Sequence, residues 1–476
     1  MTSVGNTAND YDQFLARKLA VSPPTGLTTI PELTPLLNAF QRDLVIWALR
    51  RGRAALFADT GLGKTLMQIL WADAIAKYTG GRVLILAPLS VSKQTEAEAR
   101  KFGLIATRVH DGSGIGETGV YVTNYDRLHL FDASKFDGIV LDESSIIKNF
   151  AGKILAQLLE SFRDTRYKLA CSATPSPNDH TELGTHAEFL GVCTRTEMLA
   201  EFFCHDGADT SVWRLKGHAR SAFWRWVSSW AAMLRRPSDL GYSDEGYVLP
   251  ALHVHEHVSA ADAQQTREAG LLFAEPVKGL MDRRKARRST LNLRVQGCAD
   301  LVQSDAEGWV IWCELNDEQE ALRKLLGDQA VSITGSMPAI EKENLHDAWF
   351  RGEKRIIITK PSIFGWGLNW QHCARMAFVG VTDSFERYYQ AVRREWRFGQ
   401  KREVHVHLFY NEIEGRVREN LTRKEAEMIK MSEELGKETR DMVRSAVHGA
   451  ERTRNLYADR AILMPAWMGR RVADVD

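Results

Sequence analysis

The stretch Phe57-Ala58-Asp59-Thr60-Gly61-Leu62-Gly63-Lys64-Thr65 holds the residues best suited to chemistry. Ala54 to Phe57 reads as a short buried strand, and Leu66, Met67, Ile69 and Leu70 follow at helical spacing. A glycine loop between a strand and a helix is a phosphate site, because loop N–H groups face the anion and the helix dipole favours it. Thr60, Gly61, Leu62 and Gly63 would form that cradle. Lys64 would place its ammonium on the terminal phosphates, and the Thr65 hydroxyl would ligate magnesium. The alternative is a chance glycine turn. Farther on, Gly138-Ile139-Val140-Leu141 runs into Asp142 and Glu143, where a parallel sheet presents its ligand edge. Asp142 would hold magnesium, directly or through water, and Glu143 would polarise an attacking water. Alone, Asp-Glu would be an ordinary helix start. Upstream, Gln41 could read adenine, since one amide both donates and accepts; without the phosphate loop it would be a surface helical residue. Arg394 and Arg397 lie three apart in an expected helix over 385–398 and would share a face. Two guanidiniums on one face suit a triphosphate.

These residues need two sheets to position them. Apolar strands running into loops are expected within 82–88, 121–125, 138–145 and 167–175, separated by crossovers as in a doubly wound sheet. A second α/β unit is expected from strands at 309–313, 355–359, 376–380 and 404–408 and a strand and loop over 331–336. The loop Gly365 to Asn369 in that unit has glycines that allow close backbone approach. Between the two units the texture changes. Trp213, Phe223, Trp224, Trp226 and Trp230 read as a small helical core, the alternative being an aromatic wedge or base-stacking surface. His253, His255 and His257 alternate on what reads as a half-exposed strand, with a metal site as the lesser reading. The run Arg283-Arg284-Lys285-Ala286-Arg287-Arg288 is either a solvated helix or a phosphate-backbone contact. Residues 421–447 read as a charged helix that packs across the domains or binds a partner, and 11–19 as a short helix.

At 476 residues the chain has room for two or three domains with sizeable cores. The formal net charge is +1, so any nucleic-acid surface must be local. Six scattered cysteines with no C-x-x-C pair argue for a reducing compartment and against a zinc module. The N-terminus lacks a signal-peptide pattern, and no apolar run is long enough for a membrane, so the expected location is cytoplasmic.

Together these residues resemble the helicase superfamily-two core, and most closely its Swi/Snf-like branch, from about Leu36 to Tyr410. Gln41 matches the adenine-reading glutamine, and Ala58 to Thr65 the A-x-x-G-x-G-K-T phosphate loop. Asp142-Glu143-Ser144-Ser145 matches the D-E-A-H box with two serines replacing Ala and His. Ser172-Ala173-Thr174-Pro175 matches the coupling motif. Gln390 to Gln400 follows the branch signature Q-x-x-x-R-x-x-R-x-G-Q, which implies that Arg394 and Arg397 are arginine fingers. The resemblance also implies nucleotide contacts at Gly367 and Asn369. It implies nucleic-acid contacts at Pro88, Thr123 and Asn124 in the first unit and at Thr334, Gly335 and Ser336 in the second. The implied fold is α/β: two RecA-like doubly wound parallel-sheet domains with a helical insertion between them. The expected bounds are a tail over 1–30, an ATP-binding domain over 31–190 and an insertion and linker over 191–294. A second domain over 295–412 and a helical extension over 413–476 complete the chain. The implied function is an ATP- and Mg2+-dependent motor on DNA, duplex favoured over single strands, with RNA possible and protein partners unknown. A strand-separating helicase and an ATP-gated clamp with little turnover are the rivals.

Overall fold

The computed structural model describes residues 22–34, 36–206, 213–259, 288, 290–364, 369–380, 384–412 and 417–448. Two parallel sheets organise them, with interior strands that are largely apolar and buried on both faces. The first contains β1 (Arg53–Ala58), β2 (Arg82–Ala87), β3 (Thr107–Arg108), β4 (Gly119–Asn124), β5 (Gly138–Asp142) and β6 (Tyr167–Cys171). After a small antiparallel pair, β7 (Phe203–His205) and β8 (Trp213–Leu215), β9 (Ala231–Leu234) joins this first sheet beside β1. The order is β3-β4-β2-β5-β6-β1-β9.

The second sheet has β10 (Leu252–Ser259), β11 (Trp309–Cys313), β12 (Ala330–Ser332), β13 (Ile356–Thr359), β14 (Arg375–Val379) and β15 (Val404–Asn411). Its order is β10-β15-β14-β11-β13-β12. The segment expected as a helical insertion therefore contributes one strand to each sheet. The apolar run Ala231–Leu234 is too short for periodicity to separate strand from helix. The aromatic segment before it is a core: Phe223 and Trp230 are fully buried and Trp224 nearly so, packed with Phe57 and Phe189 of the first domain. Trp213 and Trp226 are partly buried against the same core.

The histidines of β10 meet partners that the sequence order hides. His255 Nε2 lies 3.0 Å from His405 Nδ1, and His257 Nε2 lies 3.0 Å from His407 Nδ1. His253 Nε2 faces Glu403 at 3.1 Å. This is a cross-strand ladder of stacked rings, and among the described residues no group of three His, Cys, Asp or Glu is arranged to hold a metal ion. No described helix is long and apolar enough to cross a membrane.

The helix Val417–His448 ties the two halves together. Leu421 is buried in the second-domain core, Met431 and Leu435 in the first, and Met428 packs against both. Its Thr439 hydroxyl accepts the Met233 N–H of the edge strand β9 at 3.3 Å.

Candidate active site

The phosphate loop is built as its sequence requires. β1 ends at Ala58, the helix Lys64–Thr79 begins six residues later, and the glycines between have φ of +90° at Gly61 and +83° at Gly63. Only glycine takes those angles cheaply. A side chain at Gly61 would meet Phe398, and one at Gly63 would meet the Gln41 amide. Gln41 lies in the first turn of the helix Ala39–Arg51. Its Oε1 accepts the Asn38 N–H at 3.1 Å and its Nε2 donates to the Leu62 carbonyl at 2.9 Å. One bonding position remains at each end of the amide, enough for a base edge. Lys64 Nζ donates to the Ala58 carbonyl at 2.8 Å, folded back along the loop.

Asp142 and Glu143 stand at the C-terminal end of β5. Asp142 Oδ1 accepts from Gln68 Nε2 at 2.7 Å and from the Glu143 N–H at 3.0 Å. Glu143 is the one non-glycine residue with positive φ among the described residues, at φ 52° and ψ 52°. Such a conformation costs about 1–3 kcal/mol and persists where the surroundings enforce it. Its Oε2 is buried without a hydrogen-bond partner. Burial raises both carboxyls above their ordinary range. For Asp142, the Gln68 hydrogen bond and then Lys64 oppose the rise. For Glu143, Lys64 opposes it most, Asp142 adds to it, and Arg394 and Arg397 oppose it from across the cleft.

The expected helix over 385–398 stops early, at Val392. Arg393 to Gly399 form tight turns, with Arg394 N bonded to Ala391 O, Arg397 N to Glu395 O and Gly399 at φ +92°. Arg394 and Arg397 thus reach the cleft from a turn and not from one helix face. Burial pushes the Arg394 guanidinium down to about 9, which still leaves it charged at neutral pH. Arg397 is lowered by burial too, with Glu98 and Glu143 opposing.

These groups line a single cleft of about 670 Å³ between the sheets, which holds Gln41, Thr60, Gly61, Gly63, Lys64 and Thr65 from one side. Asp142 and Glu143 form its floor, and Asn369, Arg394 and Arg397 close it from the other side. Leu62 turns its side chain into the core, leaving its backbone in the loop. Gly367 lies outside the described residues, as do all of Arg283–Arg288 except exposed Arg288. The size, the left-handed glycine loop and the buried, unbonded Glu143 oxygen suit a nucleoside triphosphate. Thr65 and Asp142 offer the hard oxygen donors that magnesium takes.

Pro88 caps the helix Leu89–Lys101, and Thr123 and Asn124 end β4 with buried oxygens (Oγ1 and Oδ1) that lack partners. Thr334, Gly335 and Ser336 form a turn after β12, held by Lys342 Nζ on the Gly335 carbonyl at 2.7 Å. Lys93 and Glu343 pair at 3.4 Å and bring the helices beside these two loops together across the domains. Sequence reasoning missed His186, from the helix Leu183–Leu190, whose Nε2 lies 3.0 Å from Ser144 Oγ behind the carboxylates. It also left Asp59 and Arg393 without a role, yet they form a buried ion pair across the cleft.

Residues 38–183 match the DEAD/DEAH box helicase family model, and residues 297–399 match the helicase conserved C-terminal domain. An uncharacterized ATP-dependent helicase of Bacillus subtilis (strain 168), YqhH, is 22% identical over 444 residues, covering 83% of this chain and 79% of that protein. The solved SWI2/SNF2 ATPase core of Sulfolobus solfataricus, in complex with dsDNA, is 19% identical with a TM-score of 0.41, covering 80% of this chain and 90% of its own. The two helicase models fall one on each sheet and meet at the cleft, so the chain carries the core of a superfamily-two helicase, an ATP-using enzyme built on two RecA-like domains.

Proposed function

We propose that this chain is a nucleic-acid-stimulated ATPase that moves along duplex DNA without needing to separate its strands. The observation that carries the reading is the cleft itself, in which the phosphate loop and carboxylates of one domain face the arginine turn of the other. Gln41 binds the base. The N–H groups of the loop hold the phosphates, and Lys64 leaves the Ala58 carbonyl to reach them. Thr65 and Asp142 hold magnesium, which when bound neutralises phosphate charge. Glu143 accepts a hydrogen bond from the attacking water through its unbonded oxygen and orients it in line. Arg394 and Arg397 meet the charge that develops in the transition state, a contribution of about 10³–10⁵-fold where such fingers have been removed. Because the fingers belong to the second domain, turnover requires closure, and opening afterwards moves one domain against the other.

The loops at Pro88, Thr123–Asn124 and Thr334–Ser336 are the proposed backbone contacts. Phosphate contacts position a protein without reading sequence, so sequence preference should be weak. The Gln390–Gln400 pattern, which resembles the Swi/Snf-like signature, favours duplex DNA. Steady-state ATPase rates with duplex DNA, single-stranded DNA and RNA side by side test the proposal. Duplex should stimulate at least as well as single strands. Stimulation by RNA or single strands alone would reject the duplex reading, and no turnover with any of them would favour a clamp.

A further inference from the structure

A carboxylate in a phosphate loop is an electrostatic problem. Asp59 directly precedes Thr60, so a negative side chain stands next to the place where a triphosphate would bring several more. In this chain the charge is answered from the other domain. Asp59 Oδ2 pairs with Arg393 Nη2, and its Oδ1 accepts from the Tyr389 hydroxyl and, at 2.6 Å, from the Thr60 N–H. Arg393 is 5% exposed and is held in place in its turn. Its Nη1 donates to the Trp396 carbonyl at 3.1 Å, and its guanidinium stacks 5.4 Å from the Tyr389 ring and 4.8 Å from Trp396. Arg393 lines the nucleotide cleft, whereas the Asp59 side chain is turned toward the second domain.

We infer that Arg393 is a positioning residue that makes ATP affinity depend on domain closure. With the domains together, Asp59 is neutralised and its Thr60 hydrogen bond holds the loop open to phosphate. With the domains apart, Asp59 loses both partners from the second domain, and its charge opposes the triphosphate. ATP then binds the closed arrangement more tightly, and by linkage it favours closure. The inference rests on the ATP-site reading above, but it concerns a residue pair outside the phosphate, magnesium and finger contacts.

A charge-removal cycle tests it, with ATP affinity read by a fluorescent ATP analogue and closure by energy transfer between dyes on the two domains. Wild-type protein that fails to bind the analogue would sink the ATP-site reading itself. Given wild-type binding, Arg393→Ala should weaken ATP by about tenfold, a loss of about 1.4 kcal/mol, with a smaller effect on kcat. Asp59→Asn should keep or improve ATP affinity yet weaken ATP-driven closure. The double variant should recover affinity to within a few fold of wild type, because the charge needing an answer is gone. A double variant as weak as Arg393→Ala, or Arg393→Ala with unchanged affinity, would overturn the inference. Should Arg393→Ala not fold, Asp59→Asn alone decides: unchanged ATP-driven closure in that variant rejects the coupling.

Discussion

A buried carboxylate oxygen with no donor is costly unless something comes to it. Glu143 has such an oxygen, on a backbone held at positive φ, beside Asp142 and facing two arginines. Glu143→Gln should therefore keep ATP binding and lower turnover by roughly 10²-fold or more, since the base is lost and the cradle stays. Lys64→Ala should lose both binding and turnover. A Glu143→Gln variant that hydrolyses ATP at the wild-type rate would remove Glu143 from the chemistry. The glycine loop over 60–65 and the Asp142-Glu143 pair could be picked out because each lies in an uninterrupted local pattern, and the structure brings both to one cleft. His186 could not be, since nothing in the sequence links it to Ser144, and the D-E-S-S departure alone did not say what would fill the space. Burial lowers the His186 pKa from 6.5 to about 4. The unfolded chain then binds more protons than the folded one between those values. His186 thus contributes stability that is complete above about pH 6.5 and is lost as pH falls toward 4. Urea midpoints at pH 7 and pH 5 should differ more for wild type than for His186→Gln; equal differences would show that this histidine does not titrate as its burial dictates.

At the scale of elements, long apolar strands behind crossovers could be read directly, and β2, β6 and β11 fall where expected. Short or irregular elements could not. β9 is four residues, and its place beside β1 depends on a tertiary edge that no local pattern encodes. The arginine turn misled for the opposite reason. Its composition is helical, but the Arg393 guanidinium bonds to Trp396 O, and Trp370 N takes the Arg394 carbonyl, so the chain leaves the helix at Val392. The helix Val417–His448 was expected, with packing across the domains as one of its two expected tasks, and it does pack across them. It lays Leu435, fully buried, into the first-domain core, while Arg220 Nη2 grips Glu434 at 2.6 Å. Leu435→Ala should cost about 2–5 kcal/mol, the range for a buried leucine whose cavity cannot collapse. Denaturant unfolding followed by tryptophan fluorescence would measure it. A loss under about 1 kcal/mol would mean the helix is only loosely docked.

For the whole molecule, the proposed movement along duplex DNA turns on whether any element could open the strands. Unwinding needs an element that inserts between strands, and the sequence offered only the Trp213–Trp230 segment. Its large rings are spent on the first-domain core, with Phe223 and Trp230 fully buried. A net charge of +1 leaves no broad basic field, so the proposed duplex binding would rest on local phosphate contacts. Two measurements follow. Affinity for duplex DNA should fall steeply between low and moderate salt, because each phosphate contact releases a counterion. With ATP, the protein should displace the third strand of a triplex while a forked duplex stays largely paired. Ala substitutions at half-exposed Thr334 and exposed Ser336 should weaken binding alike on unrelated sequences, since both would contact backbone. Trp226, half-exposed on the helix Arg220–Ser228, provides the control: Trp226→Ala should leave triplex displacement intact in folded protein. Efficient opening of the fork that disappears in Trp226→Ala would turn the aromatic segment back into a wedge and the motor into a strand-separating helicase.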